Sequence, residues 1–183
     1  MHRYLPKLVA ALLSLACLGA AASAGIWVDV PFVRQPENGC GAACIVMIVQ
    51  YWVGKDPHLH CAVPTVVSVQ QTLYRPRTHG IPASQMKSFL QQEGFRVFTF
   101  QGAWSDLVDH LAKGRPLIVC LREPSLESTL HYVVVVGLDP DRGVVLVNDP
   151  ARRKLAMLGR ASFDRRWAAA HNWALLAVPR SSR

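Results

Sequence analysis

The chain is poor in cysteine, and the few it has fit no metal template. Five of its 183 residues are cysteine, and one of these, Cys17, lies in the opening apolar stretch. The remaining Cys40, Cys44, Cys61 and Cys120 are too few for a disulfide scaffold at this length, and 51% of the chain is hydrophobic, enough to fold around a core without one. Their spacings match no common zinc pattern. His58 and His60 in DPHLHC share a face only on a strand and have no evident partner ligands, so neither a metal nor a cofactor is expected. Interleaved aromatic platforms and zinc-finger spacing are absent, so no nucleic-acid partner is expected either. Internal repeats and low-complexity segments are missing as well.

Acidic residues are scarce at both ends: residues 1–24 have none. Residues 25–150 carry ten basic and eleven acidic side chains, whereas residues 151–183 carry eight basic and one acidic. The net charge of +8 is therefore a C-terminal property plus Arg3 and Lys7 at the start. Such a cluster (Arg152, Arg153, Lys154, Arg160, Arg165, Arg166, Arg180, Arg183) fits contact with an anionic surface such as the bacterial envelope. It fits better a solvated helix face followed by a basic tail.

The opening MHRYLPKLVAALLSLACLGAAASA reads as a signal peptide over residues 1–24. It has a basic start, an apolar run from Leu8 to Leu18 too short to span a bilayer comfortably, and Ala22-Ser23-Ala24 as a cleavage site. An exported product, periplasmic or secreted, is expected, with residues 25–183 forming one domain. An uncleaved N-terminal anchor is one alternative. A lipid anchor at Cys17 is another, disfavoured by the bulky Leu15.

Periodicity divides the rest into helices first and sheet later. Residues 26–33 read as extended. Apolar residues at three- and four-residue spacings from Cys40 predict a helix to about Val53, ended by Gly54. Helices follow near Thr65–Tyr74, after Pro82 up to Gly94, and over Trp104–Lys113. FRVFTFQ, PLIVCL, HYVVVVGL, VVLVND, Leu155–Leu158 and NWALLAV read as strands, with a helix near Arg160–Ala170. The turn DPDRG joins HYVVVVGL and VVLVND into a hairpin. This order predicts an α+β fold.

One stretch, QPENGCGAAC, puts a cysteine between two glycines at a helix start. A free thiol with a pKa of about 8.5 is mostly protonated at neutral pH. The positive end of a helix and a nearby imidazolium both favour the thiolate. Cys40 is placed for the first, and its backbone N–H is among the helix amides without an acceptor, hence an oxyanion donor. Gln35, five residues upstream, carries a second donor. Cys44, one turn further in, reads as a buried small residue. A Cys40–Cys44 bridge would be strained; a Cys44–Cys61 bridge would leave Cys40 free. His131 opens the strongest strand and Asp149 ends its hairpin partner, so folding at residues 139–143 brings them together at the open end. An Asp there would orient the imidazole as a general base for Cys40.

The strings VPFVRQPENGCGAACIVMIVQYWVG, RTHGIPASQMKSFLQQEGF, PLIVCL and HYVVVVGLDPDRGVVLVNDPA resemble the double-glycine (bacteriocin-leader) peptidases, over about residues 28–178. These are papain-like cysteine proteases, often fused to bacteriocin exporters, with free-standing secreted relatives. The resemblance implies a papain-like fold, N-terminal helices packed on a C-terminal antiparallel sheet. By position it makes Cys40 the nucleophile, His131 the general base, Asp149 the orienting acid and Gln35 the oxyanion-hole glutamine. Gly39 stands where many transporter-linked members have an acidic residue, and their glutamine lies six residues before the cysteine rather than five. The register looks more like that of the free-standing members, so the resemblance implies a peptidase but leaves open whether Gly-Gly is recognised. The expectation is a monomeric exported cysteine peptidase acting on peptides or proteins. The alternatives are an amidase or acyl/peptidyl transferase with the same triad, or a non-catalytic peptide-binding domain.

Overall fold

A computed structural model describes residues 25–59, 61–123 and 129–180. Residues 1–24, read above as a signal peptide and holding Cys17, together with His60 of DPHLHC, residues 124–128 of the EPSLEST loop and the tail with Arg183 lie outside the described residues.

Helix α1 (Cys40–Lys55) is the centre of the molecule. Residues Gly41–Val49 and Tyr51 are all buried, so the helix is enclosed on nearly every side rather than along one stripe. It continues past Gly54 to Lys55, and the Asp56 N–H caps it on the Trp52 carbonyl at 2.8 Å. The space around Gly54 is open, so a glycine there costs only its helix propensity, about 1 kcal/mol. Helix α2 (Val66–Leu73) starts at Thr65, whose hydroxyl accepts the Ser68 N–H at 3.0 Å. A 3₁₀ turn at Pro76–Thr78 follows, held by an antiparallel bridge between Arg75 and Gly80. Helix α3 (Ala83–Gln92), helix α4 (Trp104–Ala112) and helix α5 (Arg160–Ala168) complete the helical set among the described residues.

Seven strands form one antiparallel sheet: β1 (Ile26–Trp27), β2 (Phe95–Gln101), β3 (Leu117–Arg122), β4 (Leu130–Asp139), β5 (Val144–Asp149), β6 (Arg153–Gly159) and β7 (Trp173–Pro179). Their order is β2-β7-β3-β4-β5-β6, with β1 paired to β4. Strand β3 reaches along β4 as far as Val135, and β1 takes over opposite Gly137 and Leu138. Val133–Val136 of β4 and Leu117–Val119 of β3 are fully buried, which explains their unbroken apolar runs. Helix α1 packs on β4 and α5 on β3, so the His131 strand abuts the Cys40 helix. The α+β fold with helices on a mainly C-terminal antiparallel sheet is the one expected. Strands β1 and β2 come before α4, and the other five follow it.

Candidate active site

The turn before α1 is shaped by packing rather than by glycine φ. Gly39 has φ −99°, an ordinary value; the left-handed residue is Asn38, at φ 55°. Gly39 is needed for space: a Cβ there would lie 2.7 Å from both Gln70 Oε1 and Pro36 Cδ. Gln70 in turn donates from Nε2 to the Glu37 carbonyl at 2.7 Å, propping the turn from α2. The first bond into the helix runs from the Ala43 N–H to the Gly39 carbonyl, so the Cys40 N–H has no intrahelical acceptor. Cys40 is a half-buried free thiol at this helix start.

His131 and Asp149 meet as the hairpin requires. His131 Nε2 lies 2.8 Å from Asp149 Oδ1, and both side chains are buried. Asp149 occupies Nε2, which leaves Nδ1 as the ring nitrogen open to the thiol. Burial pulls the imidazole pKa down, but the Asp149 bond and the nearby Cys40 outweigh it, and His131 is raised to about 9. Burial pushes Asp149 up, yet the His131 bond, the Ala151 N–H at 3.0 Å and Arg152 hold it below the usual carboxylate range. Arg152 Nε stands 3.4 Å from Asp149 Oδ2, and Arg152 also reaches Glu123 at 3.7 Å. Glu123 is further paired with Arg166 of α5. The ring thus sits between the Asp149 carboxylate and the Cys40 thiol, in surroundings that favour its protonated form once it takes up a proton.

Gln35 lies at the end of an extended strap formed by residues 28–35. The strap is fastened by the Val28 N–H to the Val136 carbonyl (2.8 Å), by Lys154 to Asp29 (2.8 Å) and by the Gln35 N–H to the Pro150 carbonyl (3.0 Å). That last bond joins Gln35 to the residue after Asp149. Its Oε1 is buried with no hydrogen-bond partner among the described residues.

Asn148 is the residue that sequence reading passed over. It is completely buried beside Asp149. Its Nδ2 donates to the Val30 carbonyl at 3.0 Å, and its Oδ1 accepts the Leu155 N–H at 3.1 Å. Leu155 sits at a bulge in the β5–β6 pairing with φ 53°, so Asn148 ties strap, β5 and β6 together. The available signal was the amide itself, a polar side chain ending the apolar run VVLV.

The other cysteines are structural by environment. Cys44, Cys61 and Cys120 are free thiols, so no Cys44–Cys61 bridge forms. Burial pushes Cys44 well up, Cys61 to about 11 and Cys120 to about 12. Among the described residues no cluster of His, Cys, Asp or Glu is arranged to hold a metal ion. Most of the C-terminal cations have internal partners. Lys154 pairs with Asp29, Arg160 with Asp164 while stacking on Trp104, Arg166 with Glu123, and Arg180 donates to backbone carbonyls.

A helix-start thiol facing a strand imidazole backed by a carboxylate, on this α+β scaffold, defines a papain-like cysteine peptidase fold. The family model that matches, over residues 27–175, is the Peptidase_C39-like family, and the chain belongs to it. The scaffold is similar to a putative C39-like peptidase from Bacillus anthracis (TM-score 0.64, 18% identity, covering 86% of this chain and 99% of that one). It is also similar to the peptidase domain of Streptococcus ComA, a bi-functional ABC transporter involved in quorum sensing (TM-score 0.66, 17% identity, 83% and 100% covered). A third similar structure is a double glycine motif protease from an AMS/PCAT transporter in complex with its leader peptide (TM-score 0.62, 20% identity, 84% and 94% covered). No curated protein sequence matches the chain. Membership in this family supports cysteine peptidase activity.

Proposed function

We propose that the protein is an exported peptidase that cleaves peptide bonds with Cys40, His131, Asp149 and Gln35. The observation that carries this is the 2.8 Å His131–Asp149 pair set against the Cys40 thiol at the start of α1. The thiol passes its proton to His131, and Cys40 Sγ attacks the scissile carbonyl carbon. The resulting oxyanion is met by the Cys40 backbone N–H and the Gln35 side-chain amide. The C–N bond then breaks as His131 returns the proton to the leaving amine, leaving a thioester on Cys40. Water, losing its proton to His131, attacks the thioester, and the acid product departs as the thiol is restored. Asp149 keeps the ring oriented and offsets the imidazolium charge throughout. Export is supported by the signal-peptide pattern of residues 1–24.

Labelling of the purified protein with a thiol-reactive peptide electrophile tests the reading. Cys40 is expected to be the modified residue, with labelling lost in Cys40→Ala and strongly slowed in His131→Ala. Equal labelling of wild type and both variants overturns it. A peptide panel run with and without an added amine acceptor separates hydrolysis from transfer.

A further inference from the structure

Near the start of α1 lies a trough that the cleavage chemistry does not use. It has a volume of about 430 Å³ and crosses four strands at one end of the sheet. Its floor is a cross-strand row. Gln101 of β2 pairs with Trp173 of β7, and Cys120 of β3 pairs with Tyr132 of β4. Val119 pairs with Ala174, so Cys120 and Trp173 are the next positions out on neighbouring strands. The Tyr132 and Trp173 rings pack edge to face with centroids 5.4 Å apart, which places both on this face. Leu130 and Ala83 form part of the wall, His171 adds an imidazole, and among the described residues no Lys, Arg, Asp or Glu lines the trough.

The trough adjoins the start of α1 through Tyr132, one of the residues that line it. On the thiol side, the Tyr132 ring comes within 3.5 Å of where a Cβ on Gly41 would lie, one residue after Cys40. A peptide laid across Cys40 therefore passes the mouth of an uncharged, aromatic-walled cavity. Its volume lies in the range of about 300–1,000 Å³ that pockets use to bury whole apolar groups.

We infer that this trough is a specificity pocket that takes a large uncharged apolar side chain, of Leu, Met, Phe or Tyr size, from a substrate residue within two positions of the scissile bond. The inference rests on the peptidase reading above and specifies its substrate class. A glycine at that position leaves the cavity unfilled and forfeits the contact. The expected preference for a large apolar residue over glycine is about 10- to 100-fold in kcat/KM.

Internally quenched peptides, varied one position at a time on both sides of the scissile bond, test this on the purified protein. The wild type is expected to show the large-over-glycine preference at one position. Ala83→Phe, which intrudes into the trough, should lower that ratio at the same position. Trp173→Ala, which widens it, should move the optimum toward larger side chains. A wild-type preference for glycine at every position near the bond overturns the inference. So does an Ala83→Phe or Trp173→Ala protein, folded by circular dichroism, whose kcat/KM changes by one common factor for all peptides. Cys40→Ala separates the two levels: undiminished cleavage by that variant sinks the peptidase reading itself. A dead Cys40→Ala with unaltered side-chain preferences in both trough variants sinks only the pocket.

Discussion

Asn148 offers the sharpest test of how the site is held. It is wholly buried, and each end of its amide has one partner: the Val30 carbonyl at 3.0 Å and the Leu155 N–H at 3.1 Å. Asn148→Ala removes both bonds and strands both partners. An orphaned buried polar group costs about 1–3 kcal/mol, so two of them, one only partly buried, imply a loss of about 2–5 kcal/mol. In a domain of this size that lowers Tm by roughly 5–15 °C. Asn148→Asp discriminates further. It retains an acceptor for Leu155 but sets a carboxylate oxygen against the Val30 carbonyl. Burial and that carbonyl raise the folded-state pKa of the introduced acid above its unfolded value of about 4. The folded state then holds its proton more tightly than the unfolded state, so stability falls as pH rises from there. Urea unfolding across pH 4–8 reads both effects. A loss below about 0.5 kcal/mol in Asn148→Ala, within the range of ordinary surface substitutions, refutes the strut argument. A deficit in Asn148→Asp that does not vary with pH refutes the assignment of the Val30 bond.

Three further outcomes follow from the same geometry. Asp149→Asn should cut kcat/KM by about 10²- to 10⁴-fold and move the basic limb of its pH profile down from near the His131 value of about 9; an unmoved limb would show that Asp149 does not hold the imidazolium. Gln35→Ala should lower kcat about 10²- to 10³-fold with little change in KM, as for loss of one oxyanion donor; an effect confined to KM would place Gln35 in substrate binding instead. Wild-type stability should also follow the pair. The raised His131 contributes fully below its unfolded pKa of about 6.5 and fades as pH rises towards about 9. The depressed Asp149 contributes above its unfolded value of about 4 and fades as pH falls. Denaturation midpoints should therefore plateau between about pH 4 and 6.5, and a midpoint still rising through pH 9 would contradict the His131 term.

The residues of the site differ in how visible they are along the chain. Cys40 is legible because a helix start is a local event, marked by a change of periodicity after a turn. The His131–Asp149 pair is legible because a tight hairpin carries one long-range contact in local form: a turn at 139–143 brings residues 18 apart to 2.8 Å. Gly39 was visible as a glycine, but its reason was not. Its neighbours are Pro36 nearby and Gln70 on another helix, so the constraint is steric rather than a matter of φ. Gly54 looked like a stop and is part of α1, because open surroundings let the helix absorb it.

Sequence alone determined the α+β class, the helix-start thiol and the hairpin pair, since each follows from periodicity, turn chemistry and spacing within a few residues or one turn. Only tertiary structure decided the rest. The strap that carries Gln35 to Pro150, the Asn148 bond to Val30 across 118 residues, the Asp149–Arg152–Glu123–Arg166 chain and the four-strand trough all join distant segments. Their partners are chosen by sheet order and register, and those emerge only when α1 is buried against β4 and every strand has found its neighbour.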